Sequence, residues 1–179
     1  MSTIKLHDLH FNPFISEDEL SKIVSSLVKE VSADLEPNEV PLFIGILNGS
    51  FLFAADFIRK YQNNCEVSFV KLSSYQGTES SEIVNELIGI NEDLTGRTVI
   101  ILEDIIDTGS TLHKIYDTFK NKKVKQLKIA TLFFKPDVYR KELPIDYIGK
   151  SIEDKFIVGY GLDYNGLGRN LPAIYQLTK

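Results

Sequence analysis

The sequence predicts an α/β protein whose core is a mainly parallel sheet flanked by helices. Three observations lead to this class. Residues 99–102 (VIIL) and 40–47 (VPLFIGIL) are apolar runs without polar alternation, the pattern of strands buried on both faces of a parallel sheet. Stretches with helical apolar periodicity alternate with these runs along the chain. The run at 99–102 also leads through two acids and a hydroxyl-rich turn into an amphipathic segment, the strand–loop–helix order of a ligand-binding crevice.

Each element has its own local signal. Ser16-x-x-Glu19 is a capping box, in which hydroxyl and carboxylate take up the free amides of a helix start. After it, Leu20, Ile23, Val24, Leu27, Val28 and Val31 fall on one helical face. Pro37 and Asn38 end that helix, and 40–47 reads as a buried strand. A helix from about 51 to 61 and a strand across 67–72 follow. Residues 73–81 (SSYQGTESS) are small, polar and without period, the composition of a loop. Residues 99–104 form the central strand. Leu112, Ile115, Tyr116 and Phe119 mark the next helix, and 127–134 is a further strand. From Asp137 onward, short apolar runs at 145–148, 156–160 and 173–177 are broken by turns. No repeat, low-complexity tract or linker interrupts the chain, so residues 1–179 are expected to form a single domain.

Composition narrows the function. The chain has 179 residues, 43% of them hydrophobic and 25% charged, which suits one enzyme-sized core. The net charge of −5 and the lack of a dense basic block argue against nucleic-acid binding, and the basic run at 120–125 reads as a solvated helix end. The one cysteine, Cys65, has no partner for an internal disulfide, as expected in a reducing cytoplasm. Neither a signal-like apolar segment nor a membrane-spanning run is apparent. His7 and His10 lack ligand-spaced partners, and His113 reads as a helix-surface histidine.

The chemistry concentrates in residues 99–111 (VIILEDIIDTGST). Glu103 and Asp104 close the strand, and Asp107 opens a turn of Thr108, Gly109, Ser110 and Thr111. Free amides, a permissive glycine and three hydroxyls at a helix start form a cradle for a phosphate monoester. Acids beside a phosphate cradle make sense for a sugar phosphate, whose hydroxyls or metal they take. This segment resembles the phosphoribosyl-diphosphate (PRPP) motif of the type I phosphoribosyltransferases: apolar strand, two acids, two residues, then Asp-Thr-Gly-x-Thr.

Three further motifs resemble the hypoxanthine (hypoxanthine-guanine) phosphoribosyltransferases of short bacterial type. Leu47-Asn48-Gly49 is similar to their pyrophosphate loop, where a non-proline cis peptide joins the first two residues. Many relatives carry Lys at the position of Asn48, so the resemblance implies a backbone role there. Ser73-Ser74-Tyr75 is similar to their flexible loop over the reaction centre. Lys135-Pro136, the DKFIVGYGLDYN stretch at 154–165, and Arg169 match their purine-binding hood.

The resemblance implies a type I phosphoribosyltransferase fold, with a small hood formed largely by the C-terminal segment, about 137–179, and the N-terminus. It implies transfer of ribose 5-phosphate from PRPP to N9 of hypoxanthine or guanine, releasing pyrophosphate, with Mg²⁺. Asp107 would be the general base; Glu103, Asp104, Thr108, Gly109, Ser110 and Thr111 would hold the ribose and 5-phosphate. Leu47, Asn48, Gly49 and Arg169 would hold pyrophosphate, and Lys135, Phe156 and Ile157 the purine. Glu103, Asp104 and Asp163 would face the metal. A cytoplasmic homodimer or homotetramer, acting on neither nucleic acid nor membrane, is expected. The competing readings are a PRPP-sensing regulator without catalysis and a xanthine-preferring transferase. DNA-binding regulators carry an added winged-helix region, for which the 39 residues before Val40 are few.

Overall fold

A computed structural model of the chain describes residues 2–74, 84–90 and 92–178. The elements run β1 (Ile4–Leu6), β2 (Leu9–Ile15), α1 (Glu17–Asp34), β3 (Leu42–Ile46), α2 (Phe51–Lys60), β4 (Glu66–Ser74), β5 (Val84–Ile88), β6 (Thr98–Ile106), α3 (Ser110–Lys120), β7 (Gln126–Phe134), β8 (Tyr147–Ser151), β9 (Ile157–Val158) and β10 (Ile174–Leu177). Six strands make the main sheet in the order β5-β4-β3-β6-β7-β8. Five of them are parallel, and β5 pairs antiparallel with β4 at the edge.

Alternation within the buried strands explains the three layers. On β3 and β6, Phe43, Ile100 and Leu102 pack toward α1 and α2 with Leu20, Val24, Leu27, Phe53 and Phe57. Leu42, Ile44, Val99 and Ile101 point the other way, toward Leu112, Ile115 and Phe119 of α3. Both faces are dry, which is why these strands read as continuous apolar runs. Helix α1 starts as its sequence dictates: Glu19 N donates to Ser16 Oγ at 3.2 Å, and Leu20, Val24, Leu27, Val28 and Val31 are buried.

A second, antiparallel sheet has the order β1-β2-β10-β9 and joins the two ends of the chain. It closes over a small cluster of Phe11, Val158, Ala173 and Tyr175. This is the hood, and it stands above the ends of β6 and β7. Residues Tyr147–Ser151, grouped with the C-terminal unit on sequence grounds, instead pair with β7 as the edge strand of the main sheet. The hood therefore takes its C-terminal strands from beyond Ser151.

Two other elements extend further than their composition indicates. Strand β6 runs past the acids to Ile106, held by β7 through Ile105↔Phe133 and Ile106↔Phe134. Strand β4 continues through Ser73 and Ser74, which pair with Asn85 and Val84 of β5. Tyr75 and the rest of the 73–81 stretch lie outside the described residues. Among the described residues, no helix is long and apolar enough to cross a membrane.

Candidate active site

The carboxyl ends of β3, β6 and β7 open toward the hood, and the site lies between them. Gly49, Asp104, Asp107, Lys135, Phe156, Ile157, Asp163 and Arg169 line one cleft of about 310 Å³, with Ile105 and Leu162. A smaller adjoining hollow of about 110 Å³ is walled by Glu103, Asp107, Thr108, Gly109, Ser110 and Thr111. Residues far apart in sequence thus converge because parallel strands deliver their ends to one edge of the sheet.

The small hollow is built as an anion cradle. Gly109 takes φ +79°, a left-handed conformation that glycine adopts without strain, and turns the chain from β6 into α3. Helix α3 has no side-chain cap, so its first-turn amides and positive dipole end face the hollow. Thr108 Oγ1 donates to Ser110 Oγ at 3.3 Å. The side chains of Tyr139 and Lys141 lie across Gly109, a contact with no local signature in the sequence. His113 is on the helix surface, with Nδ1 2.9 Å from Asp117 Oδ2.

The two acids of β6 line different hollows. Alternation along the strand turns Glu103 toward the phosphate cradle and Asp104 into the large cleft. Glu103 Oε2 is buried and has no hydrogen-bond partner among the described residues. Burial first, and the neighbouring Asp104 second, push the Glu103 carboxyl well above the usual range. Burial likewise pushes Asp104 up, against the amides of Ile105 and Asp104 and the nearby Arg169. Two adjacent desolvated carboxyls, one with an oxygen left unpaired, are configured for ligand hydroxyls or a metal ion.

The turn after β3 carries the non-proline cis peptide at Leu47-Asn48. Ser50 is buried and its Oγ donates to Ile46 O at 2.7 Å, tying the turn to its own strand. Gly49 packs directly on Asp104: a Cβ at Gly49 would stand 1.7 Å from Asp104 Oδ2. Gly49→Ala is therefore expected to displace that carboxylate and cost about 1–3 kcal/mol of stability. Thermal unfolding checks this, and an unchanged Tm would contradict it.

Lys135 stands just past the end of β7 and lines the large cleft. Its side chain is buried, with Nζ 3.0 Å from Asp154 Oδ1 and 3.4 Å from Asp107 Oδ2. An ammonium has three donors, so two carboxylates leave one for a ligand in the cleft. Phe156 is 44% exposed and is not part of the core, while Ile157 behind it is buried. Tyr164 meets the Phe156 ring edge-on at 5.9 Å and Phe11 lies 6.2 Å away, so the ring is braced on the hood side.

Arg169 is bound within its own loop: Nη1 donates to Gly161 O at 2.6 Å, and Nη2 lies 2.6 Å from Asp163 Oδ1. Asp163 Oδ2 accepts from Gly166 N at 2.7 Å. Among the described residues, no three His, Cys, Asp or Glu side chains gather into a metal-binding group. Asp154, the nearer counter-charge of Lys135, is a site element that sequence reasoning missed, whereas the buried Tyr160, whose hydroxyl donates to Asp56 Oδ2 at 2.7 Å, belongs to the core beside the site. The pairing of Asp154 does not follow from local periodicity.

Comparison with known proteins agrees with this geometry. The family profile described as phosphoribosyl transferase domain matches residues 16–165. A hypoxanthine-guanine phosphoribosyltransferase of Staphylococcus epidermidis is 38% identical over 167 residues, 93% of each chain. The enzyme of that name from Streptococcus pneumoniae is 39% identical over 92% of each chain. The crystal structure of a Bacillus anthracis hypoxanthine-guanine phosphoribosyltransferase superposes with a TM-score of 0.87 at 42% identity, covering 93% of this chain and 98% of that one. The chain belongs to the phosphoribosyltransferase family, among its hypoxanthine-guanine members.

Proposed function

We propose that this chain is a purine-salvage enzyme that transfers the 5-phosphoribosyl group of PRPP to N9 of hypoxanthine or guanine, giving IMP or GMP and pyrophosphate. The observation that carries the reading is the single cleft where Asp104, Asp107, Lys135, Phe156 and the Gly49 turn meet, next to the cradle of residues 108–111. The relatives support it, since those at 38% and 39% identity are named hypoxanthine-guanine phosphoribosyltransferases.

The residues divide the task. Thr108, Gly109, Ser110 and Thr111 hold the 5-phosphate through amides and hydroxyls. Glu103 and Asp104 bind the ribose hydroxyls, for which their desolvated carboxyls, and the unpaired Glu103 Oε2 above all, are suited. The amides of the Leu47-Asn48-Gly49 turn hold pyrophosphate, with Arg169 as a fork donor in the same cleft. Phe156 stacks on the purine, the backbone at Ile157 reads its edge, and Lys135 donates to the 6-oxo group. Asp107 takes the proton from the base as N9 attacks. A transition state of oxocarbenium character needs position and charge more than a nucleophile, and the cleft provides both.

Mg²⁺ fits the acids: the orphaned Glu103 Oε2 and the desolvated Asp104 are hard oxygen donors, and Asp163 shares the cleft. One or two carboxylates with substrate oxygens are the usual protein share of a magnesium site. When bound, the ion would supply neutralising charge to the leaving pyrophosphate. We assign residues 1–179 to one domain, and the enzyme to the cytoplasm as a homodimer or homotetramer, on the family resemblance.

A spectrophotometric assay with PRPP, Mg²⁺ and each of hypoxanthine, guanine, xanthine and adenine tests the reading. Turnover with hypoxanthine or guanine but not adenine is expected, because the Lys135 ammonium cannot accept from a 6-amino group. PRPP binding without turnover on any base would instead favour a PRPP-sensing regulator. Lys135→Ala is expected to raise the hypoxanthine KM by about tenfold or more, the effect of losing a charged hydrogen bond. Equal losses for hypoxanthine and PRPP would contradict a base-contact role.

A further inference from the structure

The ion pair between Lys135 and Asp154 has no place in the roles above, yet it joins two parts of the cleft. Lys135 follows β7, and its backbone amide donates to Ile106 O at 3.0 Å, which fixes it beside the end of β6. Asp154 lies in the segment that leads directly to Phe156 and Ile157. The Lys135 side chain is only 7% exposed, whereas those of Asp107 and Asp154 are 53% and 55% exposed. A buried ammonium requires a counter-charge at hydrogen-bond distance. Of the two available, Asp154 is the closer, at 3.0 Å against 3.4 Å for Asp107.

We propose that Asp154 is a positioning residue: by anchoring the Lys135 ammonium, it sets the purine-contacting donor and leaves Asp107 free to act on the base. Without Asp154, the ammonium has Asp107 as its one remaining carboxylate among the contacts in this structure. Lys135 would then close on Asp107, drawing the donor away from the purine and tying up the carboxylate required as base. The same pair links the end of β7 to the segment carrying Phe156, so the stacking ring and the donor keep a common frame.

This inference rests on the base-contact role of Lys135, and the test separates the two. Steady-state kinetics are measured for Asp154→Asn, Asp154→Glu, Lys135→Ala and the double variant Asp154→Asn/Lys135→Ala. Asp154→Asn should raise the hypoxanthine KM about tenfold, as expected for loss of a charged hydrogen bond, and lower kcat, with the PRPP KM unchanged. Asp154→Glu should recover most of the loss. The double variant should have the hypoxanthine KM of Lys135→Ala alone, since Asp154 acts only through that ammonium. Parallel increases in both KM values, or additive effects in the double variant, would overturn the positioning role. An unchanged hypoxanthine KM in Asp154→Asn, with Lys135→Ala impaired, would overturn it while sparing the base contact. An unchanged hypoxanthine KM in Lys135→Ala would overturn both.

Discussion

Asp107→Asn is expected to lower kcat by roughly 10²- to 10⁴-fold, the usual contribution of a positioned general base, while the protein folds and melts as the wild type. The site makes this separation of function from stability possible. Asp107 stands just past the end of β6, its side chain 53% exposed, with Lys135 as its one ion-pair partner among the described residues. The amide is nearly isosteric, so the walls that Asp107 shares between the cleft and the phosphate cradle keep their shape. Lys135 would not be left as an uncompensated buried charge, because Asp154 holds it at 3.0 Å. What the amide cannot do is take a proton. The KM for PRPP should change little, since the residues assigned to the phosphate and ribose remain. Steady-state rates and a thermal melt on the same preparation check the result. Full activity would remove Asp107 from the role of base, and a large drop in Tm would show that its contribution is structural.

The parts of the fold that were legible are those in which one local rule dominates. β6 and β3 are buried on both faces, and their apolar runs say so directly. The start of α1 is set by Ser16 and Glu19 within four residues of each other. The turn at 107–111 carries its own cradle chemistry in consecutive residues, and it folds as a left-handed Gly109 leading into an uncapped helix. The hood was harder to see. β1 and β2 lie in a polar N-terminal segment, where only Phe11 and Ile15 of β2 are fully buried, and their partner β10 is more than 150 residues away. Pairing across that distance leaves no periodic trace. β8 was misplaced for a similar reason, as a short apolar run does not state which sheet it joins. The same limit applies within the site. Strand alternation separates Glu103 from Asp104, a geometry implicit in the sequence, whereas the burial of Lys135 between Asp107 and Asp154 exists only once two chain segments meet.

Glu103→Gln is expected to make the ligand-free protein more stable and to abolish its response to substrate. Glu103 Oε2 is buried without a partner among the described residues, and burial raises its carboxyl well above the ordinary value, so at neutral pH the fold bears the cost of a desolvated acid. The sign follows from linkage: a carboxyl raised in the folded state binds protons more tightly there than in the unfolded chain. Stability contributed by Glu103 and Asp104 therefore falls as pH rises from the unfolded values of 4.5 and 3.8 through the higher folded ones. Glu39 works in the opposite direction. Hydrogen bonds from Thr98 and Lys125 hold its carboxyl down at about 2, and its stabilisation is lost only as pH falls below 4.5. Above about pH 5 the decline therefore comes from the site acids, passing through about 6 for Asp104. The neutral amide carries no charge to desolvate, so the variant should melt above the wild type at pH 7.5 and show a flatter decline in Tm with rising pH. With Mg²⁺ and PRPP at about a hundred times Kd, the wild type should gain roughly 2.7 kcal/mol, and the variant little. The order of melting temperatures would then reverse between free and liganded protein. If the free variant instead melts below the wild type, Glu103 supports the fold, and its buried oxygen is not held ready for a ligand.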